Sequence, residues 1–532
     1  MRRSKVLAAW AALAFQIGSL GAREAAAQAA CADPVPGDFV KEILIGGDRL
    51  DQPIEMTIGG DGKVFVAERF GNIWMYDPAT HASKVVAKLD TYINTSAYDV
   101  GGILGLAVRP DFPANDTWVY VYYAPRSLWN GNATQAKGKL VYRLARFRFL
   151  NDVIDTTSKQ VLLEIPSQWE THNAGSMKFG KDGNLFLSTG DNSCAGCNAQ
   201  YSPQDERPGY EYSDDGRSTA NTNDLRGKVL RIHPEAGLVD GKYYTIPAGN
   251  LKEKYPGLWT AANGDKFRPE IYTMGHRNPY RIFPDPVGNR LFIGEFGPAA
   301  QEASDRGPAG ADQIKITDSA AFLGYPFFLK DNQPYCHWDY AAGACTPIRG
   351  QTGMKFDPAR PVNMSPNNTG LEVLPPAKPA VLWEHDGPSK DPVPGLKSCG
   401  MGAGPVYHYN PALANTVKFP PFFDGKWIFF AAGGSFQPKL VTVPAVLSTL
   451  TPDRVSRTPW DTTKISLSGD LQDMEYGPDG TLYLVDYGTT FYSNNSNDGL
   501  FRITYKGCLP PASLAQASAE FTRIARMAVV TP

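Results

Sequence analysis

Hydrophobic and polar positions repeat along this chain in short blocks. In each block a turn rich in Asp, Gly or Asn leads into a nearly continuous apolar run, which is typical of a strand buried on both faces. Six segments share this pattern: residues 60–67, 111–122, 182–187, 287–293, 424–430 and 479–485. The pattern predicts six equivalent buried strands.

Further strand candidates follow most of these segments. They cover residues 73–76, 140–149, 228–232, 313–316, 439–443 and 500–504. Long helical periodicity is missing almost everywhere. Recurrent units of several strands fit a β-propeller, in which radial repetition protects the sheet edges. We therefore predict an all-β fold, a six-bladed β-propeller with long loop insertions on its top face.

Two long stretches interrupt the repeat. Residues 192–223 are polar and Gly-rich, and residues 325–401 carry many Pro, Gly and Asn residues. Loops of this length in a compact domain are usually functional rims or lids.

The two ends differ from the repeat. Arg2, Arg3 and Lys5 precede an apolar stretch at 6–20 and small residues at 27–29, which together indicate a secretory signal peptide over 1–30. We expect the propeller domain over 31–508, a C-terminal tail over 509–532, and a periplasmic or secreted mature protein. The alternative is a lipoprotein anchored at Cys31, although residues 28–30 lack the usual Leu.

The cysteines fit an oxidising compartment. We predict local disulfides between Cys194 and Cys197 and between Cys336 and Cys345, while Cys31 with Cys508 would join the two ends of the domain. Cys399 is left unassigned. The spacing of Cys194 and Cys197 fits neither a c-type haem site nor a zinc site, because Asn198 follows and no second such pair exists.

Charge and hydropathy exclude several functions. The net charge is −2 and no basic run is present, so nucleic-acid binding has no electrostatic support. After the leader, no apolar run is long enough to span a bilayer, so we expect no transmembrane segment.

The most informative stretch is a predicted hairpin at 171–192. A turn at 181–184 separates two strand candidates, with His172 and Asp191 nearly symmetric about it. Residues paired in this way face each other with side chains about 5 Å apart. A carboxylate beside a histidine can fix its tautomer and stabilise its protonated form, as a general base requires. The alternative is a surface histidine beside a turn aspartate.

With the propeller pattern in place, five further phrases together resemble one family, the soluble pyrroloquinoline quinone (PQQ)-dependent glucose/sorbosone dehydrogenases. They occur in the family's order within about residues 40–505. The phrases are residues 101–112, 171–192, 225–232, 274–279 and 295–314.

The resemblance implies a propeller whose top cleft holds PQQ beside a calcium ion. His172 matches the general base that takes a proton from a sugar hydroxyl while hydride passes to the quinone, and Asp191 matches its orienting carboxylate. Arg277 matches a catalytic residue that also contacts the cofactor. Five more positions complete the implied site: Asn278, Phe296 and Asp312 at the cofactor, and the carbonyl groups of Gly297 and Pro298 as calcium ligands, with Asp312 at the same rim.

The residue chemistry agrees with these roles. A guanidinium and a divalent cation stabilise an oxygen that gains negative charge, and turn carbonyls suit calcium. Because Arg277 and Glu295 are equidistant from Pro286, Arg277 should emerge at the strand ends that carry Gly297 and Pro298. The structural alternative for Arg277 is a salt bridge to Glu295 or Asp312.

The chain also departs from the family pattern. Val100 and Phe296 replace the usual polar residues, two arginines are missing near 470–473, and a lysine is missing near 433–436. A tricarboxylate cofactor needs compensating cations. The candidates to supply them are Arg69, Arg207, Arg217 and Lys439.

These departures resemble a carbohydrate-associated branch of the family, on phrases at 201–209, 220–228 and 363–371. The long loop of this chain also carries acidic residues that could include metal ligands, with a solvated acidic loop as the favoured alternative. They are Asp205, Glu206, Asp214, Asp215 and Asp224.

Of three functions that fit these features, we predict the first and keep the other two as alternatives. The first is an exported sugar or polyol dehydrogenase that passes electrons to an external acceptor. The second is a calcium-dependent lactonase or hydrolase, because a metal with a His–Asp pair also activates water. The third is a non-catalytic carbohydrate-binding propeller. Fold alone does not separate them, and the sequence leaves the sugar, the acceptor and the oligomeric state open.

Overall fold

The computed structural model describes most of residues 31–510. The exceptions within that range are 94–100, 130–139, 168, 170, 195, 385–399, 432–438, 443–454, 457–464, 466, 468–469 and 490–492. The predicted signal peptide and nearly all of the predicted C-terminal tail lie outside the described residues.

Strands dominate the described chain. In order they are β1 (Phe39–Ile45), β2 (Pro53–Ile58), β3 (Val64–Glu68), β4 (Asn72–Asp77), β5 (Ala82–Lys88), β6 (Ile103–Val108), β7 (Trp118–Tyr123), β8 (Leu140–Leu150), β9 (Val153–Ser167), β10 (Met177–Phe179), β11 (Leu185–Thr189), β12 (Lys228–Val239), β13 (Lys242–Thr245), β14 (Ile271–Met274), β15 (Asn278–Asp285), β16 (Arg290–Phe296), β17 (Asp312–Thr317), β18 (Ala321–Phe322), β19 (Phe328–Leu329), β20 (Gln333–Pro334), β21 (His337–Asp339), β22 (Ala344–Thr346), β23 (Leu382–Glu384), β24 (Met401–Val406), β25 (Lys426–Ala431), β26 (Lys439–Thr442), β27 (Val455–Ser456), β28 (Leu471–Tyr476), β29 (Leu482–Asp486) and β30 (Gly499–Tyr505).

Helical segments are short. The described residues contain one α-helix, α1 (Leu251–Lys254). The 3-10 turns are Pro36–Asp38, Arg126–Leu128, Asn198–Gln200, Glu211–Ser213, Pro256–Leu258, Ala261–Lys266 and Pro421–Phe423. In this part of the chain no helix is long and apolar enough to cross a bilayer.

Five antiparallel sheets have four strands each, in the orders β2-β3-β4-β5, β6-β7-β8-β9, β15-β16-β17-β23, β24-β25-β26-β27 and β1-β30-β29-β28. A larger sheet follows the path β10-β11-β12-β14-β18, with β13 paired to β12, and ends in a parallel β14–β18 pair. Two small two-stranded sheets, β19-β20 and β21-β22, lie in the predicted insertion after β18.

The sheets are arranged around one axis. Their first strands, β2, β6, β10, β15, β24 and β28, contact one another in that order, and β28 contacts β2 again. Each predicted repeat segment forms the neighbouring second strand, and β3, β7, β11 and β29 are buried along their whole length. The all-β propeller predicted from the sequence is confirmed.

The ends of the described chain meet in one sheet. Strand β1 pairs with β30, with Phe39 opposite Tyr505. Cys31 and Cys508 form a disulfide beside this pair, and the two local disulfides, Cys194–Cys197 and Cys336–Cys345, are also present as predicted. Cys399 lies outside the described residues.

Charged side chains fill the centre of the propeller. Lys178 on β10 forms ion pairs with Asp473 (2.8 Å) and Glu475 on β28, and lies 3.9 Å from Glu55 on β2. Arg281 on β15 lies 3.5 Å from Glu55. We call these five residues the axial cluster; it links four of the six larger sheets.

Candidate active site

His172 and Asp191 face each other, as predicted from their hairpin. Strands β10 and β11 pair with Met177 opposite Leu187. Beyond the paired strands, His172 Nδ1 lies 3.0 Å from Asp191 Oδ1. Asp191 is fully buried, whereas the His172 side chain keeps 11% of its surface exposed. The alternative of a surface histidine beside a turn aspartate is therefore wrong.

The two backbone segments that carry His172 and Asp191 lie unusually close to each other. The amide of Asn192 donates to the carbonyl of His172 at 3.1 Å. A Cβ atom at position 190 would lie 1.8 Å from the same carbonyl, so only glycine fits there. His172 itself has φ +53°, in the left-handed region that non-glycine residues seldom adopt. Strain of this kind is held by surrounding contacts and is concentrated at functional sites.

Two neighbours of Asp191 that the sequence did not single out hold the pair in place. Ser193 donates to the Asp191 carboxylate through both its amide (2.9 Å) and its hydroxyl (2.8 Å). The Asn192 side chain donates to Ser167 Oγ at 2.8 Å and accepts from the amide of Trp169 at 3.0 Å. In the sequence, the only signal that could have identified these two residues is their position directly after Asp191.

Arg277 lies next to the pair. Its carbonyl accepts a 2.6 Å hydrogen bond from the amide of Asp191, and its Nη1 donates to the Phe296 carbonyl at 3.5 Å. Among the described residues its guanidinium forms no ion pair, because Glu295 instead pairs with Lys315 (2.7 Å) and His276 (3.3 Å). The predicted alternative, a structural salt bridge to Glu295 or Asp312, is wrong.

Burial and charge make His172 a neutral base. Burial lowers the pKa of His172, the Arg277 guanidinium lowers it further, and Asp191 opposes both effects. Although burial alone would raise it, the pKa of Asp191 is lowered, because His172 and Arg277 stabilise the carboxylate. An ionised Asp191 accepts from Nδ1, so the proton sits on Nδ1 and the lone pair on Nε2 is available.

The other predicted site residues lie at the same end of the propeller. Strands β15 and β16 pair with Asn278 opposite Phe296, and Asn278 Oδ1 accepts from the amide of Ala174 at 3.0 Å. The amide of Gly297 donates to Asp312 Oδ1 at 2.8 Å, and Pro298 follows directly. The Phe296 ring packs edge-on against Tyr280 with centroids 5.0 Å apart. The structure therefore brings the predicted residues into two adjoining hairpins.

The acidic loop is not uniformly solvated. Asp205, Asp214 and Asp215 are buried, so the solvated alternative is wrong for these three. Asp214 accepts from Ser365 Oγ (2.5 Å) and Asn367 Nδ2 (2.9 Å), and burial raises its pKa to about 6. No group of three or more His, Cys, Asp or Glu side chains in the described chain is arranged to hold a metal.

Two of the basic residues considered as replacements for the missing cofactor-binding cations have other partners, and a third is buried. Arg207 forms a two-point ion pair with Asp205, at 2.8 and 2.7 Å. Arg69 Nη1 donates to Gln52 at 2.6 Å. Arg217 is buried, and its two terminal nitrogens have no hydrogen-bond partner in the described part of the chain. The side chain of Lys439 lies outside what the structure describes.

A cavity of about 450 Å³ lies at the other end of the axis. It is formed where the first strands end, near Ile58, Val108, Phe179 and Tyr476, and contains none of the predicted site residues. We place the site at the His172 end because a histidine, the carboxylate that orients it and a guanidinium converge there.

Comparisons with known proteins give a family match for most of the propeller. Residues 50–346 match the model of the glucose/sorbosone dehydrogenase family. Quinoprotein glucose dehydrogenase B of Acinetobacter calcoaceticus is 27% identical over 356 residues, which cover 64% of each protein. Hedgehog-interacting protein of Mus musculus is 24% identical over 253 residues, 46% of this chain and 31% of that protein. The chain thus spans less than two thirds of either relative.

A solved structure has the same fold. The soluble aldose sugar dehydrogenase from Escherichia coli, in its apo form, superimposes with a TM-score of 0.51 at 18% identity, covering 87% of this chain and 99% of that one. At this identity the likeness supports the propeller fold alone.

Proposed function

This chain belongs to the glucose/sorbosone dehydrogenase family, and on that premise we propose that it oxidises a hydroxyl group of a sugar or related polyol, with PQQ as cofactor and calcium as its metal. The observation that carries this proposal is the convergence of His172, Asp191 and Arg277 at one end of the propeller. The family supplies the class of reaction, and these three side chains supply the means to move a proton and stabilise charge.

His172 is the proposed general base. Its Nε2 takes the proton of the substrate hydroxyl as the carbon–hydrogen bond breaks, and Asp191 stabilises the imidazolium that forms. Ser193 keeps the Asp191 carboxylate aligned, so the ring is held for this transfer before substrate arrives.

Arg277 has two effects in this scheme. Together with burial, which is the larger cause, its positive charge lowers the pKa of His172 and so favours the unprotonated ring that a base requires. Since the guanidinium pairs with no carboxylate in the described chain, its donors can stabilise an oxygen that gains negative charge.

The residues fit PQQ at the reacting centre. When bound, PQQ supplies the acceptor for the hydride. Arg277 and Asn278 would contact it, with Phe296 packed beside them on the next strand. The fit is less complete at the carboxylates of the cofactor, because Arg207 is already paired with Asp205.

The neighbouring turn fits a calcium ion. Neither the Gly297 nor the Pro298 carbonyl accepts a backbone hydrogen bond from the described residues, so both oxygens can serve as ligands. Asp312 fixes this turn through the amide of Gly297.

We extend the proposal to the number of blades, the location of the protein and its electron acceptor. Each of the six larger sheets is taken as one blade, so that the propeller has six blades.

The protein is exported to the periplasm or secreted, and an external acceptor removes the electrons. The three disulfides support an oxidising location.

A titration tests the proposal. Purified metal-free protein is titrated with PQQ, with and without calcium, while the absorbance of the cofactor is followed, and a panel of sugars is then added. We expect binding that depends on calcium, and bleaching of the oxidised quinone by at least one sugar. Absence of binding at micromolar PQQ would contradict the proposal.

The pairing of Arg207 with Asp205 favours one alternative, a calcium-dependent lactonase or hydrolase, because it leaves fewer cations for a tricarboxylate. In that case the same metal-loaded protein would open lactones without PQQ. If it instead bound sugars without turning them over, the non-catalytic carbohydrate-binding propeller would remain.

A further inference from the structure

Asp215 lies in the long loop between β11 and β12, and its backbone is firmly held. Its amide donates to the carbonyl of Pro203 at 3.0 Å, and its own carbonyl accepts from the amides of Ser218 and Ala220, both at 3.3 Å. The residue is fully buried, and neither carboxyl oxygen has a hydrogen-bond partner in the described part of the chain. A buried carboxyl without such a partner is costly, so its presence requires an explanation.

Its neighbours belong to the candidate site. The side chain of Asp215 lies beside the Asp191 carboxylate and the hydroxyl of Tyr325, close enough for an O–H on Asp215 to reach Asp191. Tyr325 is also fully buried. The charged and titratable groups that face Asp191 or Asp215 are His172, Arg217, Arg226, Lys228, Arg277 and Tyr325.

Two adjacent carboxyl groups in a dry site do not both ionise at neutral pH. Asp191 is the ionised member, because it accepts hydrogen bonds from His172 and from two groups of Ser193. Burial and the negative charge of Asp191 raise the pKa of Asp215 well above its usual range. Asp215 is therefore the member of the pair that takes up a proton more readily.

We propose that Asp215 is a positioning residue that holds a proton against Asp191 and thereby limits the basicity of His172. A carboxylic acid directed at Asp191 withdraws part of the negative charge that would otherwise stabilise the imidazolium. The inference rests on the proposed function only in giving His172 a catalytic task; the proton arrangement itself is independent of cofactor and substrate.

The direction in which the pKa of His172 shifts when Asp215 is replaced distinguishes a protonated Asp215 from an ionised one. If Asp215 is protonated, Asp215→Ala removes a donor from Asp191, and the pKa of His172 rises. If Asp215 is ionised, the same substitution removes a negative charge, and the pKa of His172 falls. The variant Asp215→Asn is neutral, nearly isosteric and keeps an N–H donor. If Asp215 is protonated, the pKa of His172 in this variant should stay close to that in the parent protein; if Asp215 is ionised, it should fall.

Nuclear magnetic resonance can measure this shift without cofactor. The full protein is labelled at histidine Cε1, the His172 signal is assigned with His172→Gln, and pH is varied between about 4 and about 8, around the ordinary histidine pKa. We expect Asp215→Ala to raise the pKa of His172 by about half a unit or more, and Asp215→Asn to keep it near the parent value. Asp205→Ala, which removes another buried aspartate of the same loop, is the matched control and should leave His172 unchanged.

A fall, or no shift, in Asp215→Ala would overturn the inference, as would a fall in Asp215→Asn. The remaining histidine signals report whether each variant is folded. A protein that failed to oxidise any sugar but showed the expected shifts would refute the proposed function alone. An active dehydrogenase without the shifts would refute the role of Asp215 alone.

Discussion

At the scale of single residues, the site depends on one histidine whose surroundings set its protonation. A second histidine gives a useful comparison: His408 Nε2 lies 2.6 Å from Asp285, but at the opposite end of the axis, beside the large cavity. Both are histidine–aspartate pairs. They differ in the nitrogen that meets the carboxylate: His172 uses Nδ1, which leaves Nε2 available, whereas His408 uses Nε2.

We expect His172→Ala to lower sugar-dependent reduction of PQQ by on the order of a hundredfold or more, because a positioned general base contributes about that much. Steady-state kinetics with an artificial electron acceptor measure it. His408→Gln is the matched control and should keep the parent rate. Equal rates in His172→Ala and the parent would remove His172 from the mechanism.

At the scale of strands, the axial cluster joins four first strands through charge. Its three carboxyl groups, on Glu55, Asp473 and Glu475, face two cations, Lys178 and Arg281. Burial raises the pKa of Glu55 to about 8, an effect that Arg281 opposes and Asp473 reinforces. One carboxyl in excess of the cations is thus kept protonated at neutral pH.

Because the axial cluster has one more carboxyl group than cations, we predict that the stability of the fold depends on pH. Because the pKa of Glu55 is higher in the folded than in the unfolded chain, its contribution is fully present below about 4.5 and is lost as pH rises through about 8. Urea unfolding should therefore give a lower midpoint at pH 9 than at about pH 6.

The variant Glu55→Gln, which cannot ionise, should flatten this dependence. Glu372→Gln removes a carboxylate from an exposed pair with Arg349 and should leave the dependence as in the parent. If Glu55→Gln lost stability between the two pH values as steeply as the parent, ionisation of Glu55 would not be the cause.

At the scale of the whole molecule, the propeller is closed in two ways. Strand β1 completes the sheet of β28, β29 and β30, and the Cys31–Cys508 disulfide lies beside this junction with a sequence separation of 477. Cross-linking residues so far apart restricts the unfolded chain much more than a short loop does.

Replacing Cys31 and Cys508 together by Ser should lower the free energy of unfolding by about 2–4 kcal/mol, the typical contribution of a disulfide. Calorimetry under oxidising conditions measures the change. The Cys194→Ser, Cys197→Ser variant opens a bridge with a separation of only 3 and should have a smaller effect. A larger loss from this short bridge would contradict the closure argument.

Much of the fold was predictable because its signals are local. The turn before each apolar run marked the second strand of each larger sheet, and the hairpin turn at 181–184 set the register that brings His172 opposite Asp191. The three disulfides also followed from spacing and from the two ends of the domain. The roles given to Asn278, Phe296, Gly297, Pro298 and Asp312 stay predictions.

What the sequence by itself determined were the second strands of the six larger sheets and the hairpin pair, since each depends on residues that are near one another in the chain. Only the tertiary structure decided that Arg277 lies against Asp191 without a salt bridge, that Asp215 is buried beside Asp191, and that charges from four strands meet on the axis. These contacts join distant segments through long loops, and no local pattern of turns or apolar residues specifies where such a loop packs.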